Sequence, residues 1–142
     1  MLSKKTPMQL HTVGLVHIAH QQVLLAFSAN KQCFYLPGGK IDKNETAVQA
    51  LCREIEEELQ VSLTADDLVY YTHISAPAFG EAAGITMEQE CYLIKKDIHP
   101  LASAEIEELR YFSLASYLQM PRTAPGVVLL LQLLTAEGKI AQ

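Results

Sequence analysis

The sequence predicts an α+β fold, in which short strands and helices follow one another in a mixed order. Two observations predict it. Several short segments carry the apolar, aromatic or alternating pattern of strands, and one stretch, Gly38 to Val61, joins a glycine loop to a strongly amphipathic helix. No repeat, low-complexity run or linker divides the 142 residues, so a single domain spanning 1–142 is expected. A folded chain of this length buries roughly two-thirds of its unfolded surface, which is enough for a core without staples.

Taken in order, Leu10 to Ile18 and Gln22 to Ser28 are apolar and strand-like, and the short polar turn around His20 and Gln21 joins them as an early hairpin. Cys33 to Leu36 is a brief aromatic strand leading into Pro37 and the Gly38-Gly39 pair. The helix comes next. Val48, Leu51, Ile55 and Leu59 fall at steps of three and four and make an apolar stripe that faces the core. Thr46 followed three residues later by Gln49 is a capping-box pattern, which starts the helix near Thr46 and leaves Glu45 just outside it. Leu68 to Ser75 and Ile85 to Lys95 read as strands, separated by a loop containing Pro77, Gly80 and Gly84 that borders the site. Leu109 to Phe112 is a further short strand. Ser113 to Gln119 and Gly126 to Thr135 read as helices, the second with Val127, Leu130, Leu131 and Leu134 available for burial.

The chemistry concentrates on one helix. Glu54 and Glu57 are three apart, and Glu54 and Glu58 four apart, so these carboxylates crowd one side of the cylinder. Like charges at such spacings repel, and the cost is usually offset by bound cations or solvent screening. The carboxylates lie a quarter turn or more from the apolar stripe, with small Ala47 and Ala50 on their side, and so flank a cleft. Gly38 and Gly39 abut the helix start, where glycines let backbone approach a ligand and N–H groups favour phosphate. A glutamate-rich helix is most often a solvated face. The glycine loop, the remote Glu45 and Arg53 are not explained by solubility, and they shift the balance to a cation and phosphate site. Glu56, which points away from the carboxylate group, reads as surface.

These residues resemble the Nudix box, G-x5-E-x7-R-E-U-x-E-E-x-G-U with U an aliphatic residue, through Gly39, Glu45, Arg53, Glu54, Ile55, Glu57, Glu58 and Val61. A match this good arises by chance on the order of once in ten thousand such chains. One fixed position departs from the pattern. Gln60 stands where the box has its second glycine, so the small residue that usually stops the helix in a left-handed conformation is missing. The resemblance implies a curved mixed β-sheet between helices, an α/β/α sandwich. It also implies hydrolysis of a nucleoside diphosphate linked to another moiety, with Mg²⁺ or Mn²⁺ as cofactor. Among the substrates this leaves open, the small size and short loops favour a small free nucleotide such as a modified nucleoside triphosphate. Glu54, Glu57 and Glu58 would hold the cation, and Arg53 would orient a ligand carboxylate. Gly38 and Gly39 would shape the substrate loop, and Glu45 would support loop and helix through Arg53. A nucleotide-binding module without turnover is the alternative, and the presence of all three carboxylates weighs against it.

Outside the box, Glu88 and Glu90 alternate on one face of a predicted strand while Met87 and Cys91 take the other, and Glu88 is held as a candidate for the substrate site. Phe34, Tyr35, His73 and Phe79 can stack on a base, although aromatic residues on short strands are more often core. Glu105, Glu107 and Glu108 read as an exposed acidic turn. A formal net charge of −5 argues against a nucleic-acid partner, which selects a basic patch. The longest apolar tract, Val127 to Leu134, is too short to span a bilayer, so no membrane partner is expected. Cys33, Cys52 and Cys91 form no C-x-x-C pair and read as reduced core thiols. With no signal peptide in view, a cytoplasmic protein is expected. The sequence leaves the oligomeric state open, a homodimer included.

Overall fold

The computed structural model describes residues 8–81 and 83–142. The expected domain of 1–142 and the reading of a chain without a leader both extend onto residues 1–7 and 82, which lie outside the described residues.

Alternation along the central strands sets the layers. On β1 (Gln9–Val16), Val13 and Leu15 enter one apolar cluster and Val16 enters the other. On β3 (Gln22–Ser28), Leu24 joins the first cluster while Val23 and Leu25 join the second. A strand buried on both faces needs a cover on each. Helix α1 (Ala47–Leu59) supplies Ala50, Leu51, Ile55 and Leu59 to the first cluster, and α3 (Pro125–Ala136) supplies Val127, Leu130, Leu131 and Leu134 to the second. The expected α/β/α layering follows from this. Val48, the first member of the predicted stripe, is only half-buried.

The β-structure between the helices divides into two four-stranded sheets. One has the order β5 (Gly38–Lys40), β1, β7 (Thr86–Ile94), β6 (Leu68–Pro77). In the other, β3 pairs with β2 (Ile18–Ala19), β4 (Cys33–Tyr35) and β8 (Ile106–Phe112). The β1–β7 pairing is parallel and the rest are antiparallel, so the structure is mixed as expected.

Three local outcomes differ from the sequence reading. The hairpin turn forms where predicted, with His20 and Gln21 both left-handed at φ 52° and 63°. It joins only β2 to β3, however, because β1 ends at Val16 and pairs with β5 and β7 instead. The Gly38-Gly39 segment, expected as a loop, is itself a short strand on the edge of β1. Ser113, expected inside a helix, is the N-cap of the five-residue α2 (Leu114–Leu118), its hydroxyl accepting from the Ser116 N–H at 3.2 Å.

Helix α1 starts as predicted. Thr46 Oγ1 accepts from the Gln49 N–H at 3.1 Å, and the Thr46 N–H donates to Gln49 Oε1 at 2.9 Å. It ends by the left-handed geometry despite lacking the glycine: Gln60 adopts φ 56°, ψ 39°, and its N–H donates to the Glu56 carbonyl at 3.1 Å. The loop that leads to β8 then caps the next two carbonyls, Leu101 N–H to Leu59 O and Ser103 N–H to Glu58 O, each at 2.9 Å. Among the described residues no helix is long and apolar enough to cross a membrane. Cys33 and Cys91 are buried free thiols, while Cys52 is only half-buried.

A side chain held left-handed costs about 1 to 2 kcal/mol, partly offset by the greater unfolded-state freedom of glycine. Gln60→Gly is therefore expected to stabilise the fold by about 0.5 to 1 kcal/mol, read as a higher urea midpoint at unchanged slope. A lower midpoint would mean that the Gln60 side chain makes a compensating contact.

Candidate active site

The glycine strand and the box helix are built against each other at very short range. Gly38 has φ +144°, and a Cβ there would collide with the Val13 carbonyl. A Cβ on Gly39 would fall on the Glu54 carboxylate. Glycine is thus required twice, once for the backbone conformation and once to let Glu54 lie against β5. The Gly38 N–H donates to Glu58 Oε1 at 2.9 Å, so β5 also anchors the second carboxylate.

Arg53 ties the loop to the helix. Its guanidinium grips Glu45 through two bonds, Nε to Oε2 at 2.7 Å and Nη2 to Oε1 at 2.9 Å, the fork geometry that makes Arg–carboxylate pairs specific. Nη2 also donates to the Lys40 carbonyl at 3.2 Å, and Nη1 lies 3.6 Å from Glu54 and 3.7 Å from Glu57. Glu45 Oε1 accepts from the Asp42 N–H at 2.9 Å, closing the loop on itself. The bonds from Arg53 hold the Glu45 carboxyl down at about 2, so Glu45 stays ionised. Arg53 thus lies against the carboxylates of Glu45, Glu54 and Glu57.

Above these groups opens a cleft of about 450 Å³. Gly38, Gly39, Arg53, Glu54, Glu57 and Glu58 all line it. Glu45 stands behind Arg53 and does not.

The sequence matches the family described as NUDIX domain over residues 8–133. The chain belongs to that family. No curated protein matches it. Solved structures share the fold across nearly the whole chain at low identity. A MutT NUDIX hydrolase from Burkholderia pseudomallei is 24% identical, with 87% of this chain and 95% of that one covered and a TM-score of 0.67. A MutT protein from Methanosarcina mazei Go1 is 17% identical, with 96% and 99% covered and a TM-score of 0.75. An Ap4A hydrolase of C. elegans, solved as a binary complex, is 19% identical, with 90% and 96% covered and a TM-score of 0.66. Membership bears out the resemblance and the enzyme class it implied, a Nudix pyrophosphohydrolase.

Within this Nudix cleft the carboxylates are short of positive charge. Glu58 is only 6% exposed, and burial is the main cause that pushes its carboxyl up to about 8; Glu54, Glu105 and Glu57 add repulsion, and the Gly38 N–H opposes them. Glu54 is pushed up to about 7, by burial first and then by Glu57, with Arg53 opposing. Among the described residues no three His, Cys, Asp or Glu side chains form a ready-made metal cage. The donor set still fits a hard cation. Mg²⁺ and Mn²⁺ prefer carboxylate oxygen, and Mg²⁺ is usually held by one or two carboxylates together with water and substrate phosphate. Two under-compensated carboxylates at the cleft edge have that character.

Two glutamates exchange places relative to expectation. Glu88 lies on β7 beside Glu90, on the face opposite Met87 and Gln89, and it is Met87 and Gln89 that line the cleft. Glu88 is instead engaged by His73 Nε2 at 2.8 Å and by the Ser75 hydroxyl at 2.7 Å, across the β6–β7 pair. Glu105, read from sequence as an exposed acidic turn, lines the cleft and adds to the repulsion on Glu54 and Glu58. No local pattern marks it. It arrives because the backbone of Leu101 and Ser103 docks on the end of α1.

A carboxyl raised in the folded state binds its proton more tightly there than in the unfolded chain, so its ionisation costs stability between the two values. Metal-free protein is expected to lose stability as pH rises from about 4.5 to about 8, the window set by Glu58. Glu58→Gln keeps an acceptor for Gly38 and removes the charge. It should be more stable than wild type at pH 8 with chelator, by on the order of 2 kcal/mol, and about equal at pH 4.5. Equal stability across that range, followed by denaturant melts, would refute the burial argument.

Proposed function

We propose that this chain hydrolyses a pyrophosphate bond in a nucleoside diphosphate linked to another moiety, using Mg²⁺ or Mn²⁺. The substrate we favour is a small free nucleotide, such as a modified nucleoside triphosphate. The observation that carries the reading is the pair Glu54 and Glu58, set against glycine backbone at the cleft edge and lacking compensating charge.

Glu54, Glu57 and Glu58 would hold the cation. When bound, it supplies neutralisation of diphosphate oxygens and activation of the attacking water. The protein's own part is positional. Arg53, clamped by Glu45, keeps Glu54 and Glu57 within 3.6 and 3.7 Å of one guanidinium nitrogen. Gly38 fixes Glu58 through its N–H, and Gly39 leaves the space that Glu54 fills. Much of the catalytic effect in such a site comes from fixing charges before the reaction rather than moving them during it.

A volume of about 450 Å³ suits a mononucleotide-sized ligand. The C. elegans neighbour is named an Ap4A hydrolase, which supports a nucleotide anhydride as the substrate. The −5 net charge and the acid-rich cleft disfavour long polyanions such as nucleic acid.

Glu57 is the informative position, because its side chain is 54% exposed and its loss leaves the core untouched. With Mg²⁺ and a panel of nucleotides, wild type is expected to release products of pyrophosphate cleavage, and chelator to abolish release. Glu57→Gln should lower kcat by about 10²- to 10³-fold with unchanged circular dichroism and melting temperature. Undiminished turnover in that variant would remove Glu57 from the metal set.

A further inference from the structure

The cleft is polar in two different ways. Asp42, Arg53, Glu54, Glu57 and Glu58 come from the β5 loop and α1, whereas β7 contributes Met87 and Gln89. Thr12 on β1 lies between the two sides, its backbone paired with Lys40 on one hand and Gln89 on the other. Two strand spacings, about 10 Å, separate the backbone of Lys40 from that of Gln89. The one cation lining the neutral side, Lys31, is already engaged by Glu81 at 2.9 Å and by the Phe79 carbonyl at 3.2 Å.

Gln89 occupies a niche made by a glycine. A Cβ on Gly14 would stand 3.0 Å from Gln89 Nε2 and 2.8 Å from Leu36 Cδ1, so a side chain there would displace the ends of both. Glycine weakens a strand interior and often marks a place where another group must come close. The carboxamide placed there is nearly unused, its polar neighbour being the weakly donating Cys91 thiol at 3.8 Å. Beside it, Thr12 is 7% exposed and its hydroxyl oxygen is buried with no hydrogen-bond partner, the one such side-chain atom among the described residues. Leaving a buried hydroxyl unpaired costs about 1 to 3 kcal/mol, so this one gains from any hydrogen-bonding group that enters the cleft.

The geometry points to Gln89, seated on Gly14 and backed by Thr12, as the specificity-determining residue that hydrogen-bonds the neutral edge of the substrate's nucleobase. This rests on the nucleotide reading proposed above. A carboxamide presents a donor and an acceptor side by side, matching base edges that carry both. Tyr35, Leu36 and Met87 supply apolar contact for the ring. Thr12 is the register partner of Gln89 across β1 and β7, so its hydroxyl is a neighbouring group open to the same ligand. Phosphates then extend towards β5 and α1.

The test compares the adenosine, guanosine, cytidine and uridine triphosphates with ribose 5-triphosphate, which lacks a base, in the Mg²⁺-loaded protein. Wild type is expected to have a lower KM for at least one nucleoside triphosphate than for ribose 5-triphosphate. Gln89→Leu should raise that KM about tenfold or more with kcat within about threefold, and leave ribose 5-triphosphate kinetics unchanged. Thr12→Val should act in the same direction without lowering the melting temperature of ligand-free protein, and Thr12→Ser should behave as wild type. Equal losses on all substrates in Gln89→Leu, or none, would overturn the assignment, as would a destabilised Thr12→Val. If nothing is hydrolysed, the hydrolase reading fails by itself. Melting shifts induced by the same compounds then decide base contact: a nucleotide shift lost in Gln89→Leu supports it, and a retained one overturns it.

Discussion

The close approach of β5 to α1 is the constraint on which the site depends. Without side chains at positions 38 and 39, Glu54 and Glu58 settle against backbone rather than into solvent. Relative magnitudes decide the charge state of Glu58. A backbone hydrogen bond to a charged group contributes about 1.5 to 3 kcal/mol. Burial is the larger effect, and repulsion from Glu54, Glu105 and Glu57 adds to it. The Gly38 N–H cannot offset both, so Glu58 remains raised towards neutrality. Arg53 does not resolve the imbalance either, because its fork is committed to Glu45 and only its Nη1 faces Glu54 and Glu57.

The same balance of charge supports the proposal that an anionic substrate enters with a cation. Asp42, Glu54, Glu57, Glu58 and Glu105 line the cleft against Lys31, Lys40 and Arg53. Two of those three cations are already paired, Arg53 with Glu45 and Lys31 with Glu81. A polyphosphate entering alone would meet a negative field, whereas a divalent ion between carboxylates and phosphate reverses the local sign. The proposed metal dependence thus has support from the electrostatics as well as from family membership.

What the sequence made legible was local. The capping box at Thr46 and Gln49, the stripe Leu51–Ile55–Leu59 and the Arg53–Glu45 partnership all lie within one helix and its approach, where spacing translates directly into geometry. The pairing of β1 with β7 joins segments some 75 residues apart, and periodicity carries no information about such contacts. For that reason β1 was expected to pair with β3. The alternation of β7 was legible too, with Glu88 and Glu90 opposite Met87 and Cys91, but which face meets the cleft depends on β1. Glu105 was unreadable for a similar reason, its place being set by hydrogen bonds from Leu101 and Ser103 to the end of a helix far upstream.

Locally unfavourable choices gather around this cleft. Gln60 is left-handed without being glycine, Gly14 interrupts a central strand, Thr12 buries an unpaired hydroxyl, and Glu58 buries a carboxyl. Each costs stability, and three of the four line or shape one cavity. Elsewhere α1 and α2 carry side-chain N-caps and the apolar side chains sort by face. Left-handed non-glycine residues also occur elsewhere, at His20, Gln21, Gln32, Asn44 and Ala104, so what sets the cavity apart is its buried polar groups, the Thr12 hydroxyl and the Glu58 carboxyl. On the proposed reading, a metal-bound nucleotide would offset the excess of carboxylates in the charged half of that cavity and offer the Thr12 hydroxyl a partner in the neutral half.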